Sequence, residues 1–160
     1  MTERGALVDD GGTLTTRAAA APAWRYVVGG MVASAIAATI NLAWRNAYPG
    51  LTGYTVPAAI DPVSVAVATV LSIWLAAGVY LLLSRGFVIA TPLYVIGCVA
   101  TAATTCIAPF TPVLPDGMPV PPGFPLLTIP MHLIAGLMAA VVVPLVVLVG
   151  VRRQDPSPMR

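Results

Sequence analysis

Residues Ile129 to Val151 read I-P-M-H-L-I-A-G-L-M-A-A-V-V-V-P-L-V-V-L-V-G-V, an unbroken apolar run without Asp, Glu, Lys or Arg. About 20 such residues, at about 1.5 Å per residue, cross the roughly 30 Å hydrocarbon core of a bilayer. The run ends at Arg152 and Arg153 and carries the chain's single histidine, His132, near its start. His132, Gly136 and Ala140 recur every four residues and share one helical ridge, on which the small residues suit a close neighbour. The histidine is therefore expected to face protein rather than lipid.

The rest of the chain is of the same kind. It is 58% hydrophobic and 9% charged, with mean hydropathy +0.90, too few polar residues to coat a water-soluble domain. The fold class expected is all-α: an integral membrane four-helix bundle with both termini cytoplasmic and a disordered N-terminal tail. Net charge is only +2 and the basic residues are scattered, so no nucleic-acid footprint is present. All eight basic residues are arginine, which together with heavy use of Ala, Val, Gly and Pro suggests a GC-rich bacterial genome.

In chain order, residues 1–23 are polar and Gly/Thr/Ala-rich, include Asp9-Asp10-Gly11-Gly12, and read as a disordered cytoplasmic tail. The following apolar run is too long for a signal peptide and reads as an uncleaved anchor. Spans are expected at about 24–44, 62–84, 87–108 and 129–151, followed by a tail at 154–160. The first has Trp24 and Trp44 at its ends and two small-residue rows, Gly29-Ala33-Ala37 leading to Asn41, and Gly30-Ser34-Ala38. Residues 46–60, with Pro49, Gly50, Gly53 and Pro57, read as a loop. Asp61-Pro62 is a helix start, since proline at the first helical position loses no hydrogen bond. The second span carries a further small row, Ser64-Ala68-Ser72-Ala76. Only Arg85-Gly86 separates it from the third span, which forces an antiparallel hairpin. The third span has Gly97-Thr101-Thr105 on one ridge and Cys98-Ala102-Cys106 beside it, and a Pro-rich loop follows over 109–128. Pro144 is expected to kink the fourth span.

With the N-terminus inside, Arg4, Arg17, Arg25, Arg85, Arg152, Arg153 and Arg160 are cytoplasmic and only Arg45 is external, a strong positive-inside bias for an even number of spans. The two cysteines lie eight positions apart, about 12 Å along one helix, too far to bridge. There is no Cys-x-x-Cys, and the lone histidine has no companion ligand at metal-binding spacing, so no cofactor or metal is expected. The candidate site is a polar cluster near the outer end: Asn41 and His132 about a turn below the surface, Arg45 and Asp61 at its lip, and Asp116 in the loop above. Polar groups in spans are costly and point to function. The structural alternative is that Asn41 is packing glue and that Arg45 is an interfacial anchor paired with Asp61.

The layout of Asn41 late in span one, Met131-His132-Leu133-Ile134-Ala135-Gly136 opening span four and Pro144 within it resembles a family of small actinobacterial four-span membrane proteins known only as a domain of unknown function. The resemblance covers about Arg25 to Arg153. It implies the four-helix topology and weight on Asn41 and His132, and brings no activity. Small multidrug exporters differ by an embedded glutamate in their first span, which this chain lacks.

Two functions remain open. One is a non-catalytic accessory or partner-binding membrane component, with a membrane-protein partner or homo-oligomer formed through surplus small-residue seams. The other is a small transporter or ligand-binding protein whose outward-facing pocket uses Asn41, Arg45, Asp61 and His132. An enzyme ranks third, since no nucleophile–base pair or paired carboxylate shares a depth.

Overall fold

The computed structural model describes residues 21–110, 113, 117 and 119–152. Most of the expected tails, together with Asp116 and Arg153, lie outside the described residues. Four helices make up the fold: α1 (Ala23–Thr52), α2 (Pro62–Gly86), α3 (Ala90–Thr105) and α4 (Phe124–Arg152), with one-turn 3-10 helices at Ala58–Ile60 and Ala108–Phe110. Each of the four, the third counted through Phe110, is long and apolar enough to cross a membrane. This is an all-α four-helix bundle and a multi-pass membrane protein.

The packing is the reverse of a soluble bundle. Small residues line the close helix contacts and many large aliphatics stand outside: Ala33 is 0% exposed, whereas Leu75 is 73% exposed. A face of Val27, Met31, Leu71, Leu82, Ile96 and Leu137 open to the surroundings is tolerable only where those surroundings are themselves apolar. With no hydrophobic gain between helices in lipid, close backbone approach and buried hydrogen bonds have to hold the bundle together.

Helices consecutive in the chain run antiparallel, as do α1 and α4, whereas α2 and α4, also in contact, run parallel; the chain goes up, down, up, down, and the start of α1 lies at the same end as the finish of α4. The α1–α4 register is read from four contacts. A Cβ on Gly29 would lie 3.1 Å from the Val143 carbonyl oxygen. Further along, Asn41 reaches Met131, Trp44 Nε1 donates to the Leu127 carbonyl at 3.0 Å, and Tyr48 donates to the Gly123 carbonyl at 3.0 Å. The second row of α1 packs on α2, with Gly30 against the Ala77 methyl. On the far side of α4, a Cβ at Gly136 would come 2.5 Å from that of Ala102, which sets the α3–α4 seam.

Two apolar clusters divide the interior. At the end where α1 starts and α4 finishes, Tyr26, Tyr80 and Tyr94 from three helices pack in series, Tyr26 edge-on to Tyr80 at 5.3 Å between ring centroids and Tyr80 stacked on Tyr94 at 4.5 Å. Their hydroxyls tie the bundle: Tyr26 to Ser84, Tyr80 to Thr91 and Tyr94 to the Ala139 carbonyl of α4. Arg25 is buried at this end, its guanidinium 5.4 Å from the Trp24 ring centroid. At the far end Tyr48, Val65, Leu127 and Met131 form the second cluster, joined by Trp44 and Tyr54.

Three boundaries differ from the sequence expectation. The stretch 46–60 is not all loop, because α1 continues through Thr52 with Pro49 inside it. The Trp44 and Tyr48 anchors on α4 hold this extra turn despite the bond proline cannot make, and Gly53, at φ 70°, closes it with an N–H bond to the Pro49 carbonyl. Likewise α4 starts at Phe124 rather than Ile129. Pro125 falls in its first turn, where a missing N–H costs nothing. The turn before it needs Gly123, whose φ is 92° and whose absent Cβ leaves room for the Tyr54 ring. The regular part of α3 is shorter than expected, Ala90–Thr105. Pro144 is buried within α4, and the helix continues through it.

Candidate functional site

Between the two apolar clusters lies a polar layer centred on Asn41, which is 1% exposed. It sits one helical repeat beyond Ala37 on the α1 row that packs on α4. Its Nδ2 donates to Thr69 Oγ1 at 3.0 Å and to the Met131 carbonyl at 3.3 Å. The network fixes which way the amide points. Thr69 spends its own hydrogen on the Val65 carbonyl at 2.8 Å, and Met131 offers a carbonyl, so both neighbours need a donor. Both amide hydrogens are therefore used, and the carbonyl oxygen Oδ1 is left buried without a hydrogen-bond partner.

Asn41 lines a partly open cleft of ≈ 240 Å³ between α1, α2 and α4, whose walls also carry Ser64, Thr69, Thr128 and His132. A second space, an open groove of ≈ 310 Å³, runs between α2 and α3 with α4 as its floor. Ser72, His132 and Ala135 line both, so the half-buried imidazole stands between the two spaces.

Of the four residues singled out from the sequence, the structure brings Asn41 and His132 to one cleft and sets Arg45 and Asp61 at its rim in other work. Arg45 does not pair with Asp61. Its Nε donates to the Ile60 carbonyl at 3.0 Å and its Nη1 to Asn46 Oδ1 at 3.1 Å. Asp61 caps α2: Oδ1 accepts from the backbone N–H groups of Val63 and Ser64 at 2.9 and 3.1 Å, and Oδ2 accepts the Ser64 hydroxyl. The Ser64 hydroxyl and then its N–H hold the Asp61 carboxyl below its ordinary range. Ile60 and Ser64 both line the cleft, so Arg45 and Asp61 position its rim.

Sequence reasoning passed over Thr69. Ser64, Ala68 and Ser72 are exposed, whereas Val65, Thr69, Ile73 and Ala77 are buried. The row Ser64-Ala68-Ser72-Ala76 is a wall of the two spaces rather than a helix–helix seam, and its short side chains help create their volume. On α3 the same division holds, Gly97 and Thr101 facing the groove and Ala102 packing on α4. Both thiols, Cys98 and Cys106, are free and partly buried. Among the described residues no group of three His, Cys, Asp or Glu side chains is placed to hold a metal ion.

The chain was compared with protein-family models, curated proteins and solved structures, and matches none of them.

Proposed function

We propose that this is a small four-span protein of the bacterial cytoplasmic membrane, with both termini cytoplasmic, that binds a small hydrogen-bond-donating ligand in the cleft of Asn41 and His132. The observation that carries the reading is Asn41, a cleft-wall residue whose Oδ1 is buried behind that wall without a hydrogen-bond donor. A buried unsatisfied acceptor costs about 1–3 kcal/mol, and a ligand N–H or O–H removes that cost once a small shift of the side chain opens the oxygen to the cleft. The arginine asymmetry supports the orientation: Arg25 and Arg85 lie at the end with the termini and Arg45 at the other. On that orientation the cleft opens outward. The resemblance to small actinobacterial four-span proteins supports the same topology.

The second reading, an accessory or partner-binding component, is favoured by the exposed small residues Ala68, Ser72, Gly97 and Thr101, which suit a partner helix. Purification from native membranes in mild detergent separates the two. Wild-type protein is expected to carry a stoichiometric small molecule, identified by mass spectrometry, that Asn41→Leu loses while staying folded. A stoichiometric protein partner carried equally by both, with no small molecule, would establish the accessory reading instead.

A further inference from the structure

We infer that the ligand is a small protonated amine, its N–H groups donated to the cleft wall, and that it competes with a proton on His132. This rests on the ligand-binding reading above and adds the chemical class and the pH dependence.

The donors of the wall decide the class. Each hydroxyl there has a partner that only accepts, so its hydrogen is already used. Ser64 gives it to the Asp61 carboxylate, Thr69 to the Val65 carbonyl at 2.8 Å, Ser72 to the Ala68 carbonyl at 2.7 Å and Thr128 to the Phe124 carbonyl at 2.9 Å. Both amide hydrogens of Asn41 are used as well. The backbone adds no donor. The Ser64 N–H is on Asp61 Oδ1, that of Val65 on the Asp61 carbonyl at 3.1 Å and that of Ile60 on the Pro57 carbonyl at 2.9 Å. The other lining residues lie within helices, whose ladders take their amides. What the wall has left is hydroxyl lone pairs and the imidazole of His132.

A ligand acceptor therefore gains little, because a hydroxyl that turns to meet it gives up a comparable bond. A ligand donor adds a bond and breaks none. Neutral alcohols and amides carry acceptors beside their donors, and carboxylates and phosphates carry acceptors alone. An ammonium group, R–NH₃⁺, has three donors and no acceptor, and oxygen lone pairs are what replaces the hydration shell of a cation. Its charge meets no Lys or Arg among the described residues lining the cleft. At the rim stand one charge of each sign, Arg45 and Asp61.

His132 links the site to protons. It is the one side chain of the cleft wall that titrates near neutral pH. Around it stand Tyr94 and Cys98 of α3, which line the groove with it, and at the rim Arg45 of α1 and Asp61 ahead of α2. Asp61 is held below its ordinary range, so it stays a carboxylate down to about pH 5, and phenol, thiol and guanidinium keep their protons up to about pH 7.5. A neutral imidazole accepts from the amine, whereas an imidazolium turns a donor and a like charge on it. Affinity therefore falls as pH falls.

Isothermal titration calorimetry of the full chain in nonionic detergent tests this with three probes. They are propylammonium, tetramethylammonium, which has the charge without a donor, and propionamide, which has donors and an acceptor without the charge. Wild type at about pH 7.5 is expected to bind propylammonium at least tenfold more tightly than either control, or about 1.4 kcal/mol. Between about pH 7.5 and about pH 5 that affinity is expected to fall at least tenfold. In His132→Gln, which keeps an acceptor and takes up no proton, it is expected to stay level. Wild type titrated near about pH 6 in buffers of different ionisation enthalpy is expected to release protons on binding, a reading that needs no variant. Equal affinity for tetramethylammonium or propionamide would overturn the class. No proton release, or the same fall in His132→Gln, would overturn the link to His132. Binding of none of the probes would sink the inference. In that case a non-amine molecule retained by purified wild type and lost in Asn41→Leu would keep the cleft reading, and no retained molecule would end both.

Discussion

The two ends of the Asn41 amide have different fates: the nitrogen is saturated and the oxygen is stranded. Hydrogen bonds between membrane helices average about 0.6 kcal/mol, while the stranded oxygen costs about 1–3 kcal/mol. Neither partner is orphaned by losing Asn41, because Thr69 keeps its bond to Val65 and Met131 lies inside α4. Asn41→Leu, close in volume, is therefore expected to match or exceed wild type in unfolding free energy once ligand is stripped away. A fall of more than about 2 kcal/mol, beyond the two bonds together, would mean that Asn41 is packing glue. At Asp61 the expectation concerns acid. Its folded pKa lies below the ordinary 3.8, so the stabilisation it gives α2 is present above that value and is lost as pH falls through the lowered one. Asp61→Ala is expected to lower Tm at neutral pH and flatten the acid dependence, and Asp61→Asn, which still caps, to keep most of the Tm. An Asp61→Ala protein with unchanged Tm and acid profile would refute the capping role.

At the scale of helices, the α3–α4 seam depends on one missing methyl group. Gly136→Ala places its Cβ against that of Ala102, and overpacking of this kind costs about 1–3 kcal/mol. Ala102→Gly in the same protein is expected to restore most of the loss. Failure of the second change to rescue the first, measured by unfolding in detergent, would show that the seam is set elsewhere. The α1 rows were legible in the sequence because Gly29, Ala33, Ala37 and Asn41 combine small size with a polar end, and their burial follows. On α2 nothing in the sequence separates the row of Ser64 from that of Val65 one position on, since the helix is apolar all round. Which row faces inward is settled by Asn41 reaching Thr69 and by Tyr80 packing between Tyr26 and Tyr94, contacts between distant segments. For the same reason the helix ends at Thr52 and Phe124 were missed: they depend on Trp44, Tyr48 and Gly123 meeting across the bundle.

For the molecule as a whole, composition and run length sufficed for the four helices, because a chain this apolar has few ways to satisfy its backbone in lipid. The site was half legible. Asn41 and His132 stand out as polar residues in apolar runs, but that Arg45 and Asp61 turn aside to hold Ile60 and Ser64 follows only from the folded loop. The central claim is that the cleft of Asn41 and His132 holds a specific small ligand. Ser72 lines the cleft and the groove, whereas Leu71, the residue before it on α2, is exposed to the surroundings. The most direct measurement places a photoreactive diazirine side chain at each position in turn, irradiates native membranes and weighs the adducts. The account predicts one defined small molecule at position 72 and the bulk membrane lipids at position 71. Identical lipid mixtures at the two positions, or a protein adduct at 72, would contradict it.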